Sequence, residues 1–576
     1  MNREYRDLQY QGHVLKTDVL VVGSGLSGLW ASIKARDYVD DVLIVDKGPM
    51  NWGGLGSFCG GDMDVWDPDV DIMKWIDDLV FYFDGLIEQD VIELLMRKSH
   101  ERFLDYETMG HRFARDEMGN LRRVNQRGLE HVSALLSRPF GTGGESLVSV
   151  LVKKVDQLGV RRLSRVQVNA IIKEDDRVAG VTAFHVRSGE FYIIKAKVII
   201  LCTGNSSWKP SYCINTSTGE SFAVALEAGV RMRNFEFIKV WNVPRDFAWE
   251  GQTMLLPLGA CFVNALGEDF MKKYSPRLGA KMDPHYNTRA MAEEHLAGRG
   301  PFFLDTRAMR EEDVSLLTPS AGWMGLTYER LKEMGVDFFK SKLEWIPQVD
   351  YNIGGIDADI QGQSNVKGIF AAGRARNLEP GVYIGGWAVS CTATTGAIAG
   401  ENAGKTAASQ EDHLRIDPAL TASIKGNLFA PLGRPGLPPK EVFNEIREVV
   451  SPYDVSILKT EQGLSRALQR LKEVQEDLIP QMGADSPHYL MNANEVRAMA
   501  TVTELYLTSS LMRKETRGGH HRVEYPGRND QYLGWFLVSK EQGKVSWTFR
   551  PVPVDDYPIK PYRFYGDLFQ SPNVAK

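Results

Sequence analysis

One short run near the start of the chain limits the fold more than any other. "TDVLVVGSGLSGLWASIKARDYVDDVLIVDKG" (17–48) holds an apolar strand, Val19–Val22, and then the turn Gly23-Ser24-Gly25-Leu26-Ser27-Gly28. A helical pattern follows, then a second apolar strand ending in Asp46. G-x-G-x-x-G alone is weak; in strand–turn–helix–strand–acid order it is a strong dinucleotide signature. The first glycine makes the tight turn, the second admits a pyrophosphate to the backbone, and the third lets helix pack on strand. Unpaired N–H groups at the helix N-terminus suit phosphate, and Asp46 can accept a ribose hydroxyl. The plain alternative is an ordinary βαβ turn.

Bulk properties narrow the partners. The chain has 576 residues, 43% hydrophobic and 25% charged, enough for two or three domains. A net charge of −6 without a long basic block argues against nucleic acid. No apolar run approaches the ~20 residues that span a bilayer. The first residues, "MNREYRDLQYQGHVLKTD", lack an apolar signal core, so the expected compartment is the cytosol. Five cysteines (59, 202, 213, 261, 391) lie far apart with no C-x-x-C, which argues against an intrinsic iron–sulfur cluster or zinc ribbon. A redox centre, if there is one, is a bound organic cofactor.

Further along, "GPMNWGGLGSFCGGDMD" (48–64) is too glycine-rich for helix or strand and suggests backbone lying close to a large ligand, with a flexible surface loop as the alternative. Residues 68–139 read as amphipathic helix, and "RPFGTGGESLVSVLVKKV" starts another. Residues 162–205 read as a β-meander ending in the apolar strand Val198–Leu201 and the turn Cys202-Thr203-Gly204. "STGESFAVALEAGVRMRNFEF" (217–237) is a helix entering a strand. Residues 238–345, rich in aromatics and prolines, read as an insertion. "VKGIFAAGRARN" (366–377) returns to strand-then-glycine-turn, and 385–407 is a helix of small residues. A proline-rich linker (428–440) precedes helices over 441–515, and strand-like pieces close the chain.

These pieces, in this order, resemble the flavoprotein subunits of the succinate dehydrogenase/fumarate reductase superfamily across nearly the whole chain. "GESLVSVLVKKV", "NVPRDF", "NALGEDFM", "AGRGPFFLDT" and "MRKETRGGHHRVEYPGRND" followed by "SWTFRPVPV" are most similar to the adenylylsulfate reductase α-subunit branch. The resemblance implies an α/β fold: a Rossmann-like FAD-binding domain (1–237 and 351–410), an inserted α+β capping domain (238–350) and a C-terminal helical domain with a tail (411–576). It implies FAD, and an iron–sulfur partner of ferredoxin type. It places Gly23, Ser24, Gly25, Ser27, Gly28, Asp46, Lys47, Gly54, Ser57, Gly60, Gly61, Gln167, Thr203, Gly204, Thr218, Glu220, Gly373, Arg374 and Ser390 against the cofactor. Only one dinucleotide fingerprint is present, so electrons are expected to pass to a carrier protein, a quinone or the substrate. Four glycine turns supply the wide backbone-lined crevice a flavin needs, and a cap would exclude water. Oligomeric state is left open.

Departures from the family pattern carry the substrate argument. Members with covalent FAD use a histidine in the Gly-rich loop; "GGLGSFCGGD" has none, so FAD is expected to be non-covalent. Dicarboxylate-handling members show H-Y-x-x-G-G and N-R-L-G. Here the first is Asp350-Tyr351-Asn352-Ile353-Gly354-Gly355 and the second Gly385-Gly386-Trp387-Ala388. An anion replaces a donor and an indole replaces a guanidinium, which disfavours fumarate or succinate. Counting back from "GRGP", the sulfate-reductase arginine falls on Asn287, with Arg289 the nearest guanidinium and His285 and Tyr286 beside it. Arg374 near the flavin pyrimidine edge would stabilise the anionic reduced form.

Flavin chemistry needs a base and a substrate-holding group. Asp350, Arg289, His285 and Tyr383 are the catalytic candidates. Trp241, Arg245, Tyr351 and Trp387 are the substrate-contact candidates, against core packing for the aromatics. His520 and His521 either cover the site or bond backbone. Three functions compete: an FAD-dependent oxidoreductase of a non-dicarboxylate small molecule, a true adenylylsulfate or fumarate-type reductase, and an FAD-binding RNA-modification protein, which the acidic charge disfavours.

Overall fold

The computed structural model describes residues 3–50, 54–125, 127–137, 143–208, 217–247, 255–310 and 322–572. Its largest sheet grows around His13–Val22, whose last four residues, Val19–Val22, are apolar and buried, as a strand covered on both faces must be. Val42–Asp46 runs parallel on one side and Phe191–Leu201 on the other; Arg161–Ser164 extends the first edge. The far edge of Phe191–Leu201 is divided. Residues 191–195 take the antiparallel meander of Val166–Glu174 and Arg177–His185, whereas 199–201 take the returning strand Ile369–Ala371 in parallel. The parallel strands therefore end together, and Gly23, Cys202-Thr203-Gly204, Lys47 and Gly373 gather at one rim. In open α/β sheets that rim is where ligands bind.

Helix Leu26–Ala35 lies on this sheet with the long helix Trp387–Ala408 against it. Small residues are obligatory there: a Cβ on Gly396 would stand 2.5 Å from Ser27 O, and one on Gly400 would collide with Ala31 O.

A second, antiparallel sheet comprises Ser206–Ser207, Ile238–Pro244, Cys261–Val263, Phe302–Asp305 and Glu344–Asn352, with helix Pro284–Leu296 nearby. Ile238–Pro244 alternates strictly. Ile238 and Val240 join the apolar cluster of the C-terminal helices, whereas Trp241 and Val243 pack with Ile346 and Tyr383. The C-terminal layer holds helices Pro439–Val450, Glu461–Glu473 and Pro487–Met512. No helix among the described residues is long and apolar enough to cross a membrane.

One reading of the sequence is corrected. Residues 68–139 are not helical throughout. Helices span Ile72–Tyr82 and Gln89–Met109, and then Arg123–Asn125 and Ser133–Leu135 form a small sheet with Met63–Asp64. Gly110, in the left-handed region at φ 105, ends the second helix, and the alternation after it is too short to read as strand. The strand-like pieces at the chain end do form strands, and they join the strands of the large domain. The hairpin Gly534–Glu541/Lys544–Pro551 pairs with Met232–Arg233, which in turn pairs with Gly355–Ile356.

Candidate active site

The glycine turn organises its own acid. Ser24 donates to Asp46 Oδ2 from its backbone N–H (2.6 Å) and its hydroxyl (2.7 Å), and Gly48 N–H donates to Asp46 Oδ1 at 2.7 Å. Gly23 sits at φ +105, where a Cβ would press on Cys202 O at 2.5 Å. A Cβ on Gly28 would collide with Gly23 O. Across the turn, a Cβ on Gly54 would come within 3.1 Å of Gly25 Cα, while one on Gly25 would meet nothing nearer than Gly54 Cα at 4.0 Å. The third glycine turn closes on the first: a Cβ on Gly373 would stand 2.6 Å from Ser27 Oγ, and Gly373 N–H donates to Thr395 Oγ1 at 2.8 Å.

Other expected cofactor residues line or brace this rim. Thr203 bonds Ser221, its carbonyl accepts from Ser217 Oγ at 3.2 Å, and Gly204 turns at φ +81. Gly61 O accepts from Ser137 Oγ at 2.7 Å, and Gly60 is packed on Gly143. Ser57 lies in the short 3-10 turn Leu55–Phe58. Lys47 is spent internally, on Glu220, on Glu495 (2.7 Å) and on Thr218 Oγ1 (3.2 Å); Gln167 donates to Glu220 at 3.1 Å. Burial opposes the charges of this pair, but their attraction outweighs it, raising Lys47 and lowering Glu220 to about 2.

These features fit a flavin dinucleotide. Two glycine turns lie at backbone contact with open space beside Gly25. Ala388 is exposed in the first turn of helix Trp387–Ala408, between buried Trp387 and Val389. Ser390 Oγ is buried without a hydrogen-bond partner among the described residues.

A second centre lies on the cap side, around a residue the sequence reading missed. Asp283 is fully buried and caps helix Pro284–Leu296, with proline at the first helical position. Its carboxylate accepts from His285 N–H (3.1 Å), His285 Nδ1 (2.7 Å), Tyr82 OH (2.9 Å), Tyr383 N–H and Lys239 Nζ (3.4 Å). Burial would raise its pKa, but Lys239 and His285 together drive it well below the usual carboxylate range. A carboxylate only accepts, so His285 Nδ1 carries a proton. His285 Nε2 is buried without a partner among the described residues. Tyr383 OH-bearing ring stands edge-on to Trp241 at 4.9 Å, with Lys239 Nζ 5.1 Å from its centroid and the Arg127 guanidinium 5.4 Å from it.

His285, Tyr383 and Trp241 thus converge, with Asp283 and Lys239 between them. Arg289 does not join them. It lies one turn further along the helix, pairs with Glu293 at 3.3 Å and stacks over Phe569 at 4.5 Å. Asn287 donates to Ala280 O at 3.0 Å. Arg245 is exposed and paired with Glu344. Asp350 is fully buried at a bulge: Lys239 pairs with Tyr351 and Val240 with Val349, leaving Asp350 as the extra residue. Arg374 reaches Glu379, Asn205 Oδ1 (3.2 Å) and Tyr351 OH (3.5 Å). Trp387 packs edge-on to Phe83 at 5.5 Å and donates to Glu379 at 3.4 Å. His520 meets Lys459 Nζ at 3.0 Å and Arg513 O at 3.1 Å, and His521 meets Thr516 Oγ1 at 3.1 Å. Two signals could have found the missed pair: a lone lysine inside the apolar run "FEFIKVWNV", and the Asp-Pro of a capped helix.

Residues 18–387 match the family model for the FAD binding domain, and residues 444–564 match that for the fumarate reductase flavoprotein C-terminus. The chain belongs to this family of FAD-binding flavoproteins. It is an FAD-dependent oxidoreductase. An uncharacterized FAD-dependent oxidoreductase of Methanocaldococcus jannaschii is 25% identical over 566 residues, covering 92% of this chain and 97% of the relative. Among solved structures, the flavoprotein of E. coli quinol fumarate reductase superposes with a TM-score of 0.85 at 21% identity, covering 95% of this chain and 99% of that one. Adenylylsulfate reductase of Archaeoglobus fulgidus superposes with a TM-score of 0.78 at 18% identity, covering 95% and 97%. Both structural likenesses concern the fold.

Proposed function

We propose that this flavoprotein moves two electrons between FAD and a small molecule that is not a simple dicarboxylate. The observation that carries this reading is how the guanidinium groups of the site region are used. Arg374 is paired with Glu379, Arg289 with Glu293 and Arg245 with Glu344. Binding a dicarboxylate calls for guanidinium forks aimed at the ligand. Those three forks are committed to the protein's own acids, Arg127 at the cap-side centre donates to Met282 O at 2.9 Å, and Asp350 adds a further buried carboxyl.

FAD, when bound, supplies the two-electron acceptor or donor. The chain supplies the rest. The turns at Gly23–Gly28 and Gly373 hold the dinucleotide by backbone. Asp283 orients His285 and Tyr383 from the cap, and burial of this centre strengthens every charge interaction in it. FAD is held without a covalent bond: the Gly-rich stretch has no histidine, and Cys59 Sγ donates to Gly56 O at 3.2 Å. An iron–sulfur protein of ferredoxin type is the electron partner this reading favours, because the chain carries one dinucleotide fingerprint and no C-x-x-C of its own.

Anaerobic mixing of the oxidised protein with a panel of reduced metabolites that includes succinate tests the substrate reading, with bleaching of the flavin band as the readout; adenylylsulfate, an electron acceptor, is tested by reoxidation of the reduced protein. A non-dicarboxylate compound is expected to bleach it. Bleaching by succinate, or rapid reoxidation of the reduced protein by fumarate, sinks the reading. Acid precipitation is expected to leave yellow flavin in the supernatant; a yellow pellet would show a covalent link.

A further inference from the structure

We propose that Lys239 is the acid–base group of this site, exchanging the substrate's proton while FAD exchanges its hydride. The proposal rests on the oxidoreductase reading above and adds the residue that reading leaves unnamed.

Lys239 is fully buried on the face of Ile238–Pro244 that carries Trp241. An ammonium has three N–H donors. One reaches Asp283 Oδ1 at 3.4 Å, beyond the ~2.7–2.9 Å of a charge-assisted bond. No other hydrogen bond of this ammonium is present among the described residues. Aromatic faces also stand beside it, Trp241 at 5.0 Å and Tyr383 at 5.1 Å. Asp283 is its counter-ion but does not close on it. Instead Asp283 makes its shorter bonds to His285, Tyr82 and the Tyr383 backbone. Lys239 is thus held in place but under-satisfied, which leaves donors for a substrate atom.

Its position is between the cap and the crevice. Tyr383 belongs to the loop that runs into helix Trp387–Ala408, with Ala388 exposed and Ser390 in its first turn. Arg374 follows Gly373, which rests on Ser27 of the first glycine turn. The charged groups facing Lys239 are Asp283 from the helix cap, Arg127 from beyond Arg123–Asn125, and Arg374 from the crevice side. Around Asp283 stand His285, Tyr82 and Tyr565. Burial lowers the lysine most, Asp283 opposes this, and Arg127 and Arg374 lower it again, bringing it to about 8. Both protonation states are therefore accessible near neutral pH, as an acid–base catalyst requires.

In the oxidising direction a substrate X–H bond breaks and its proton passes to the neutral amine of Lys239. The electron pair left on X forms a double bond to the neighbouring carbon, whose hydrogen leaves with two electrons to FAD. The substrate loses two electrons and two hydrogens; the proton returns from Lys239 to water. Reduction follows the same path in reverse.

The test uses the flavin itself. The midpoint potential of the bound FAD is measured against pH from about 6 to about 10, spanning the lysine's transition. The wild-type plot is expected to break near pH 8. Lys239→Arg, charged throughout, should show no such break and follow the acid limb; Lys239→Met should show none and follow the alkaline limb. With the panel compound that bleaches the flavin, Lys239→Met should slow bleaching about 100-fold or more at unchanged FAD content. A wild-type plot without the break, a break retained in Lys239→Met, or an unchanged bleaching rate overturns the proposal. Wild-type protein purified without FAD would instead defeat the reading of the crevice, and this proposal with it.

Discussion

The FAD crevice and the cap-side centre lie in one molecule but are built by opposite means. The crevice is made of backbone: Gly23, Gly28, Gly54 and Gly373 let chain segments approach where a Cβ would collide or crowd, and open space is left beside Gly25. The cap-side centre is made mainly of buried side chains, with Lys239, Tyr82 and the Tyr383 backbone N–H tied through the one carboxylate of Asp283. A steric cradle tolerates almost no substitution. A charge centre tolerates isosteric change but responds to pH and to the loss of a partner.

Substitutions can break this comparison, starting with the most damaging. Gly28→Ala drives a methyl into Gly23 O in the fingerprint turn. It is expected to yield protein with no bound flavin, read from the visible band; full FAD occupancy would show that the turn can relax. Asp283→Asn is expected to cost about 3–5 kcal/mol, because it strips the counter-ion from a buried ammonium. Thermal or denaturant unfolding checks this, and a loss under 1 kcal/mol would mean that Lys239 is already neutral or solvated.

Asp350→Asn should retain FAD while turnover falls about 100-fold if the bulged carboxyl touches substrate. Equal turnover would confine Asp350 to structure. The smallest effect concerns Asp62 in the Gly-rich loop, whose pKa burial raises to about 6, against the opposing Ser137 N–H. A carboxyl raised on folding favours the protonated form, so stability should decline as pH rises from about 4 to about 6. Asp62→Asn should flatten that slope, and a slope unchanged by the substitution would assign it to other groups.

Legibility in the sequence followed the same division. The fingerprint turn was readable because each glycine answers a local steric demand that spacing alone displays. Arg289 and Arg245 looked like ligand-binding groups for the opposite reason: sequence shows a guanidinium but not its partner. Only folding reveals Glu293 and Phe569 around the first and Glu344 on the second. Residues 123–125 and 133–135 read as helix because strands of three residues leave too short an alternation to distinguish from a helix face.

The chain's sequence by itself determined the fingerprint turn, the order of strand and helix around it, and the presence of Asp350 before one glycine pair and Trp387 after another. These are local patterns, set by backbone sterics and residue type. Tertiary structure decided that Lys239, Asp283 and His285 form one centre. Lys239 and Asp283 are 44 residues apart, and Tyr383 is 100 residues beyond Asp283. Pairing across such separations depends on which sheet edge and helix end the fold brings together, and that information is carried by packing rather than by spacing.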